Sequence, residues 1–165
     1  RCLGSDADGV ADLLDDFVSG MREGGLSVTL KTFPGIGNVS ADVTESIAEN
    51  TDSLMTIRDT NFVPYASGIQ AGADCVMVSN AAYSKLTVKK VPAFMSQDIV
   101  TKLLREELGF DGIVMTSPLN DNVIENNYTN EFAVVEAVKA GCDLIVLPGN
   151  FKELSLIHIS EPTRP

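Results

Sequence analysis

Four short runs of apolar, mostly β-branched residues recur along the chain, and a segment with helical periodicity separates each run from the next. The runs are residues 26–33, 75–79, 112–116 and 143–147. Apolar residues fill most consecutive positions instead of alternating with polar ones, which is typical of strands buried on both faces of a parallel sheet. We therefore predict four buried strands.

The segments between these strands carry apolar residues at three- and four-residue spacing, as amphipathic helices do. Ser5 and Ser96 are candidate N-caps for the first and third of these helices. Gly72, Gly109 and Gly141 follow the second, third and fourth and are candidate helix stops. We predict helices over residues 6–23, 61–71, 96–108 and 131–140.

The alternation of helix and strand, with crossovers of this length, defines parallel βα units and an α/β fold. Four units within residues 1–154 are too few to close a (β/α)₈ TIM barrel, which takes about 250 residues. We interpret the chain as a fragment of such a barrel, about strands five to eight with their helices. A small self-contained doubly wound domain is the alternative that periodicity leaves open.

Charge and composition exclude several classes of partner. The formal net charge is −11, and no basic stripe could neutralise phosphates, so we predict no nucleic-acid partner. No apolar stretch approaches the roughly 20 residues of a membrane-spanning helix. Cys2, Cys75 and Cys142 lack any CxxC or Cys/His ligand spacing, which argues against structural zinc or a disulfide framework. Cytoplasm and export both stay open, because the chain begins at Arg1 without a methionine.

The last eleven residues, 155–165, differ from what precedes them. Their sequence, SLIHISEPTRP, interrupts the start of a helix with two prolines and contains His158, the only histidine of the chain. It resembles translated sequencing-adapter read-through. We predict a folded domain over residues 1–154 and a non-native tail over residues 155–165, with a native disordered tail as the alternative.

Sequence motifs point to a known family. The segment from Lys31 to Thr44, KTFPGIGNVSADVT, resembles the signature of glycoside hydrolase family 3, K-H-F-P-G-H-G-x-x-x-x-D-x-H, in its β-N-acetylhexosaminidase branch. Further stretches are similar to family motifs in the same order, at residues 1–6, 72–80, 96–116 and 137–147. Because five motifs occur in order at sensible spacing, residues 1–154 are identified as a partial barrel domain of this family.

The resemblance implies a retaining glycosidase on a TIM barrel. In this family an aspartate attacks the anomeric carbon, and a histidine held by a second aspartate serves as acid and then base. Two such groups must flank one glycosidic bond, and barrels place them at the C-terminal ends of strands. The resemblance implies no metal and no organic cofactor, because hydrolysis by this route needs only water.

Two basic positions of the family's sugar-binding set are kept. Arg1 and Lys31 match an arginine and a lysine that contact the sugar. Thr32 and Asn80 stand where the family has sugar-contacting histidines, and Ile36 replaces the histidine of G-H-G. The implied ligand is a carbohydrate of the N-acetylglucosamine or β-glucoside type.

The catalytic positions are changed. Asp42 matches the aspartate of the acid/base pair, but Thr44 occupies the histidine position and Ser117 the nucleophile position. A hydroxyl cannot shuttle protons near neutrality, and losing general acid–base help removes about 10²–10⁴ of rate. Removing a nucleophile costs up to about 10⁶ in other enzymes, and serine needs a neighbouring base to attack.

Three hypotheses follow, and whether the chain is an enzyme stays open. The first is a family-3 domain that binds a sugar but is catalytically impaired. The second is an active β-N-acetylhexosaminidase that uses displaced carboxylates, for which Asp121 and Glu125 are candidates beyond Ser117. The third is a structural or interaction domain, or the product of a decaying gene.

Overall fold

The structure, a computed structural model, describes residues 3–39, 41–88 and 90–149. Its helices are α1 (Ala7–Glu23), α2 (Leu54–Asp59), α3 (Phe62–Gln70), the π-type helix π1 (Asp98–Glu107), α4 (Asn122–Glu125) and α5 (Asn130–Ala140), with a 3₁₀ turn at Ala93–Met95. Its strands are β1 (Thr29–Phe33), β2 (Glu49–Asn50), β3 (Cys75–Val78), β4 (Ala82–Tyr83) and β5 (Ile113–Thr116).

The central sheet is parallel, with the order β1-β3-β5. Leu30 pairs with Val76, and Val76 pairs with Val114, so the three strands start level with one another. A second, two-stranded parallel sheet joins β2 to β4 beyond the ends of β1 and β3. The predicted parallel α/β organisation and the first three predicted strands are confirmed.

The fourth predicted strand, residues 143–147, lies beside β5 without forming a regular strand. Leu144 bridges Met115 in parallel, and the Leu144 N–H donates to the Val114 carbonyl. The ladder then breaks, because the Val146 N–H donates to the Thr116 hydroxyl instead of to a backbone carbonyl. Leu147 takes a left-handed backbone with φ 45°, which ends the extended run.

Within the described residues, the helices cover one face of the sheet, so the expectation of burial on both faces is wrong. Burial alternates along β3 and β5: Val76 and Val114 are fully buried, whereas Ile113 is 47% exposed. The buried face packs with residues of α1, α3, π1 and α5 in one hydrophobic core. One-sided layering suits an arc of a barrel, since a doubly wound domain has helices on both faces of its sheet.

The helix starts differ from the predicted caps. Asp6, not Ser5, caps α1, and its carboxylate accepts a hydrogen bond from the Gly9 N–H at 2.8 Å. The third helix begins at Asp98, and Ser96 contributes its backbone carbonyl instead of its hydroxyl. The Asp6 carboxylate satisfies an N-terminal N–H of α1, and its negative charge interacts favourably with the positive end of the helix dipole.

Asp74 ties the start of β1 to the next strand. One carboxylate oxygen accepts a hydrogen bond from the Val28 N–H at 2.8 Å, and the other pairs with the Arg22 guanidinium at the end of α1. One side chain therefore links a helix end, the start of the strand that follows it and the next strand. These contacts lower the pKa of Asp74, the backbone hydrogen bond from Val28 most of all.

Asp143 repeats this arrangement one unit later. It accepts from the Val114 N–H at 2.8 Å and pairs with Arg105 of π1. Arg105 also donates to the Phe110 carbonyl, and its guanidinium lies over the Phe110 ring at 5.6 Å from the centroid. Two aspartate clamps, one at Asp74 and one at Asp143, thus set the register at the N-terminal edge of the sheet.

We expect Asp74→Asn to lower the melting temperature at pH 7, because the amide keeps the shape but loses the charge facing Arg22. A depressed pKa stabilises the fold at a pH above the unfolded value of about 3.9, and this stabilisation is lost as the pH falls through the folded pKa. The difference between the parent and the variant should therefore shrink below about pH 4 in thermal unfolding followed by circular dichroism.

The exposed Asp12 on α1 offers a matched control. We expect Asp12→Asn to change the melting temperature little at any pH. Curves for Asp74→Asn and the parent that stay parallel down to pH 2.5 would contradict the assignment of Asp74 as a charged clamp.

Candidate active site

The carboxyl ends of β1, β3 and β5 meet at one edge of the sheet, where parallel α/β folds place their ligand sites. Lys31 lies in β1, Asn80 follows β3, and Ser117 follows β5. The loop containing Asp42 reaches the same edge, because the Thr44 carbonyl accepts a hydrogen bond from the Val123 N–H of α4 at 2.8 Å. We call this edge the rim.

Asp42 and Thr44 form a closed pair on that loop. The carboxylate of Asp42 accepts from the Thr44 N–H at 2.9 Å and from the Thr44 hydroxyl at 2.7 Å. These two hydrogen bonds, the backbone one most of all, lower the pKa of Asp42. Asp42 is therefore an ionised acceptor, and the hydroxyl at the expected acid/base position already donates its proton to it.

Ser117 is turned into the sheet. It is 6% exposed, and its hydroxyl donates to the Val78 carbonyl at 2.8 Å. The Ser117 N–H donates to the same carbonyl at 3.0 Å. The side chain at the expected nucleophile position is thus directed at a strand backbone and away from a reacting centre.

Asn80 and Asp121 make the contact between the ends of β3 and β5. Asn80 is 1% exposed and donates through Nδ2 to an Asp121 carboxylate oxygen at 2.8 Å. The Asn80 Oδ1 accepts no hydrogen bond from the described residues. Asn80 was predicted at a sugar-contacting position, and the structure places it beneath a carboxylate.

The pKa of Asp121 is raised, first by burial and then by the neighbouring charges of Asp42 and Glu45. The hydrogen bond from Asn80 and the charge of Lys31 act in the opposite direction. The Glu45 carboxylate accepts a hydrogen bond from the Asn122 amide at 2.9 Å, so the loop of Asp42 and Glu45 lies beside Asp121 at the rim. The sequence signal for Asp121 was only a carboxylate four residues after Ser117.

Glu125 does not join this group. It lines a separate cavity of about 170 Å³ with Tyr128, Asn130 and Gly149. Asp121, the other displaced carboxylate that the sequence suggested, lies at the rim, where the Asn80 amide donates to it at 2.8 Å.

The other predicted sugar-contacting residues differ in how exposed their side chains are. Lys31 is exposed at the rim, whereas Thr32 is half-buried and its carbonyl accepts from the Gly35 N–H at 2.8 Å. Ile36 is 38% exposed beyond that turn. Arg1 and the tail of residues 155–165 lie outside the described residues.

A cavity of about 840 Å³ opens beside β1, between α1 and the start of α3. Apolar side chains such as Leu14, Phe17 and Tyr65 line most of it, and among the predicted site residues that the structure describes, it touches only Lys31. The cavity follows the unpaired edge of β1 and not the carboxylates of the rim.

Residues 3–39, 41–88 and 90–149 contain neither a metal-binding cluster nor a membrane-spanning helix. In these ranges no three histidine, cysteine, aspartate or glutamate side chains are grouped so as to hold a metal ion. No helix there combines the length and apolar character that a bilayer crossing requires.

Known proteins share this fold and these motifs. Residues 1–159 match the glycosyl hydrolase family 3 N-terminal domain. The chain is 32% identical over 147 residues to a beta-hexosaminidase of Xylella fastidiosa, covering 89% of this chain and 43% of that protein. It also resembles the solved structure of a family 3 β-N-acetylglucosaminidase of Paenibacillus, with a TM-score of 0.86 and 31% identity, covering 92% of this chain and 29% of that one. A second similar structure is a β-N-acetylhexosaminidase of Beutenbergia cavernae, with a TM-score of 0.80 and 34% identity, covering 89% of this chain and 43% of that one.

The chain belongs to glycosyl hydrolase family 3 and matches the family's N-terminal domain. The predicted fold class, α/β with parallel strands as in part of a TIM barrel, is confirmed by this likeness. The chain spans less than half the length of the relatives named above.

We expect Ser117→Ala to lower the free energy of unfolding by about 1 kcal/mol, since a buried hydroxyl–carbonyl hydrogen bond is lost while the Ser117 N–H still satisfies Val78. Urea unfolding of the full chain would measure this. Ser27→Ala, at an exposed position, should change the same quantity by less than about 0.5 kcal/mol. An unchanged stability of Ser117→Ala would show that the hydroxyl is free to serve another role.

Proposed function

We propose that this chain is a carbohydrate-binding domain of the family 3 type with impaired hydrolysis, taking ligands of the N-acetylglucosamine or β-glucoside class. The observation that carries the proposal is the direction of the Ser117 hydroxyl, which donates to the Val78 carbonyl at 2.8 Å. The names of the Xylella and Paenibacillus proteins, a beta-hexosaminidase and a β-N-acetylglucosaminidase, support the sugar class.

The changed acid/base position supports the same proposal. The Thr44 hydroxyl has no pKa near neutrality and already donates to Asp42 at 2.7 Å. Loss of a general acid removes about 10²–10⁴ of rate, and loss of a nucleophile as much as about 10⁶. The effects of losing residues that act as a unit are not additive, so the larger of the two factors sets the expected loss of rate.

Binding groups remain at the rim where catalytic groups have changed. Lys31 offers three donors on a flexible stem, and Asp121 offers carboxylate oxygens held by Asn80. Sugar recognition needs donors and acceptors placed on rigid elements. Lys31 belongs to β1, and Asp121 stands directly before α4. The proposed domain therefore still binds a sugar but does not hydrolyse it.

A second candidate function, hydrolysis through displaced groups, is favoured by one observation. The pKa of Asp121 is raised mainly by burial, whereas hydrogen bonds from Thr44 lower that of Asp42. Two carboxyl groups whose environments push their pKa values apart are the usual basis for dividing acid and base roles. In this candidate Asp121 acts as the acid and Asp42 as the base or nucleophile.

We expect the full chain to bind an N-acetylglucosamine dimer in calorimetric titration and to release no chromophore from aryl N-acetyl-β-glucosaminides or aryl β-glucosides. Lys31→Met should weaken binding about tenfold, the equivalent of one charge-assisted hydrogen bond. Lys139→Met, at an exposed position in the last turn of α5 and so at the opposite end of the βα unit from the rim, should leave binding unchanged.

The second candidate predicts a different outcome. A fluorinated sugar that forms covalent glycosyl-enzymes would label Asp42 if the displaced pair acted by retention, and mass spectrometry of the digested chain would find the label. Chromophore release lost on Asp121→Asn would also favour hydrolysis. Absence of any sugar binding would refute both candidates.

A further inference from the structure

The three carboxylates of the rim are held by neutral groups. Asp42, Glu45 and Asp121 accept their hydrogen bonds from Thr44, from Asn122 and from Asn80, at 2.7–2.9 Å. The six ion pairs found among the described residues all use other carboxylates, those of Asp74, Glu107, Glu49, Asp98, Asp143 and Glu136. Within residues 3–39, 41–88 and 90–149, no arginine or lysine forms an ion pair with these three carboxylates.

Among the described residues, Lys31 is the cation whose charge acts on Asp121, whereas Asp42 and Glu45 act on the same carboxyl group with the opposite sign. Over these residues, three carboxylates and one ammonium give the rim an excess of negative charge. Such a site repels anionic sugars and attracts a cationic group.

The Asn80 amide provides an independent indication of what the site lacks. Its Nδ2 is oriented by the hydrogen bond to Asp121, so its Oδ1 is an acceptor held beside that carboxylate. Asn80 is 1% exposed, and the Oδ1 has no donor among the residues that the structure describes. A buried acceptor without a donor is costly and favours a hydrogen-bond donor nearby.

The rim is therefore rich in acceptors and poor in donors. A protonated amine carries three donors and no acceptor, which complements Asp42, Asp121 and the Asn80 Oδ1. An acetamido group carries one N–H and a carbonyl oxygen, and that oxygen would face carboxylates. Thr44 and Asn80 stand where the family has histidines, so the imidazole N–H groups that could have donated to this acetamido oxygen are absent at these two positions.

We propose that the rim binds amino sugars whose amine is free, with the ammonium group lying against Asp121, Asp42 and Glu45. This inference rests on the proposed sugar-binding function and narrows its ligand class. It assigns Asp121 as the main charged contact and leaves the acetylated sugar as the weaker ligand.

Calorimetric titration of the full chain with two disaccharides would test this inference. The probes are the N-acetylglucosamine dimer and its fully deacetylated counterpart, at pH 6 where an amine is protonated. We expect the deacetylated dimer to bind at least about tenfold more tightly, the equivalent of about 1.4 kcal/mol. This preference should shrink when the ionic strength rises from about 0.02 M to about 0.5 M, because salt screens exposed charges.

Substitutions of single carboxylates would show which of them causes the preference for the deacetylated dimer. Asp121→Asn keeps the shape of the side chain and removes its charge, so it should reduce the preference about tenfold. Asp111→Asn, an exposed position at the opposite end of β5, is the matched control and should retain the preference. Glu45→Gln, also exposed, is a second test that does not disturb the Asn80–Asp121 hydrogen bond, and we expect a smaller loss.

The outcomes separate this inference from the function on which it rests. Equal or tighter binding of the acetylated dimer would overturn the inference and leave sugar binding intact. A preference that survives in both Asp121→Asn and Glu45→Gln, with folding verified by circular dichroism, would overturn it as well. If neither disaccharide binds, the inference and the proposed function both fail.

Discussion

The aspartate clamps at the N-terminal edge of the sheet set the geometry of everything above them. Asp74 joins Val28 and Arg22, so the start of one strand, the helix before it and the next strand are held by one carboxylate. Asp143 does the same for β5. In a parallel sheet a shift of one residue turns every side chain to the other face, so the two clamps also decide which side chains reach the rim.

Thr44 and Ser117 are held at the rim by hydrogen bonds within the protein. Ser117 continues β5 and donates to the β3 carbonyl beside it, which gives the sheet one more contact between strands. Thr44 closes a turn on Asp42 and anchors that loop to α4 through Val123. Groups that carry chemistry must be held ready for a substrate, whereas these hydroxyls make hydrogen bonds within the protein. At these two positions the hydroxyls contribute to the structure of the rim.

The sequence predicted those structural elements that depend on a local pattern of residues. The strands at residues 75–78 and 113–116 and the stops at Gly72 and Gly141 follow from apolar runs and from glycines with positive φ. Helix α2 and the two-residue strands β2 and β4 were missed, because such short elements have no periodicity to detect. The Asn80–Asp121 contact joins residues 41 apart. Only the register of the sheet brings them together, so no motif could have indicated it.

The carboxylates at the two edges of the sheet have different kinds of partner. At the N-terminal edge, Asp74 and Asp143 each face an arginine, and their charge stabilises the fold. At the rim, hydrogen bonds from an amide, a hydroxyl or a backbone N–H hold each carboxylate, and none of the three forms an ion pair within the part of the chain that the structure describes. Stability alone would favour pairing at both edges, because like charges at close range raise the free energy of the folded state. Over these residues, the contrast between the two edges is therefore better explained by what the rim binds than by what holds the sheet together.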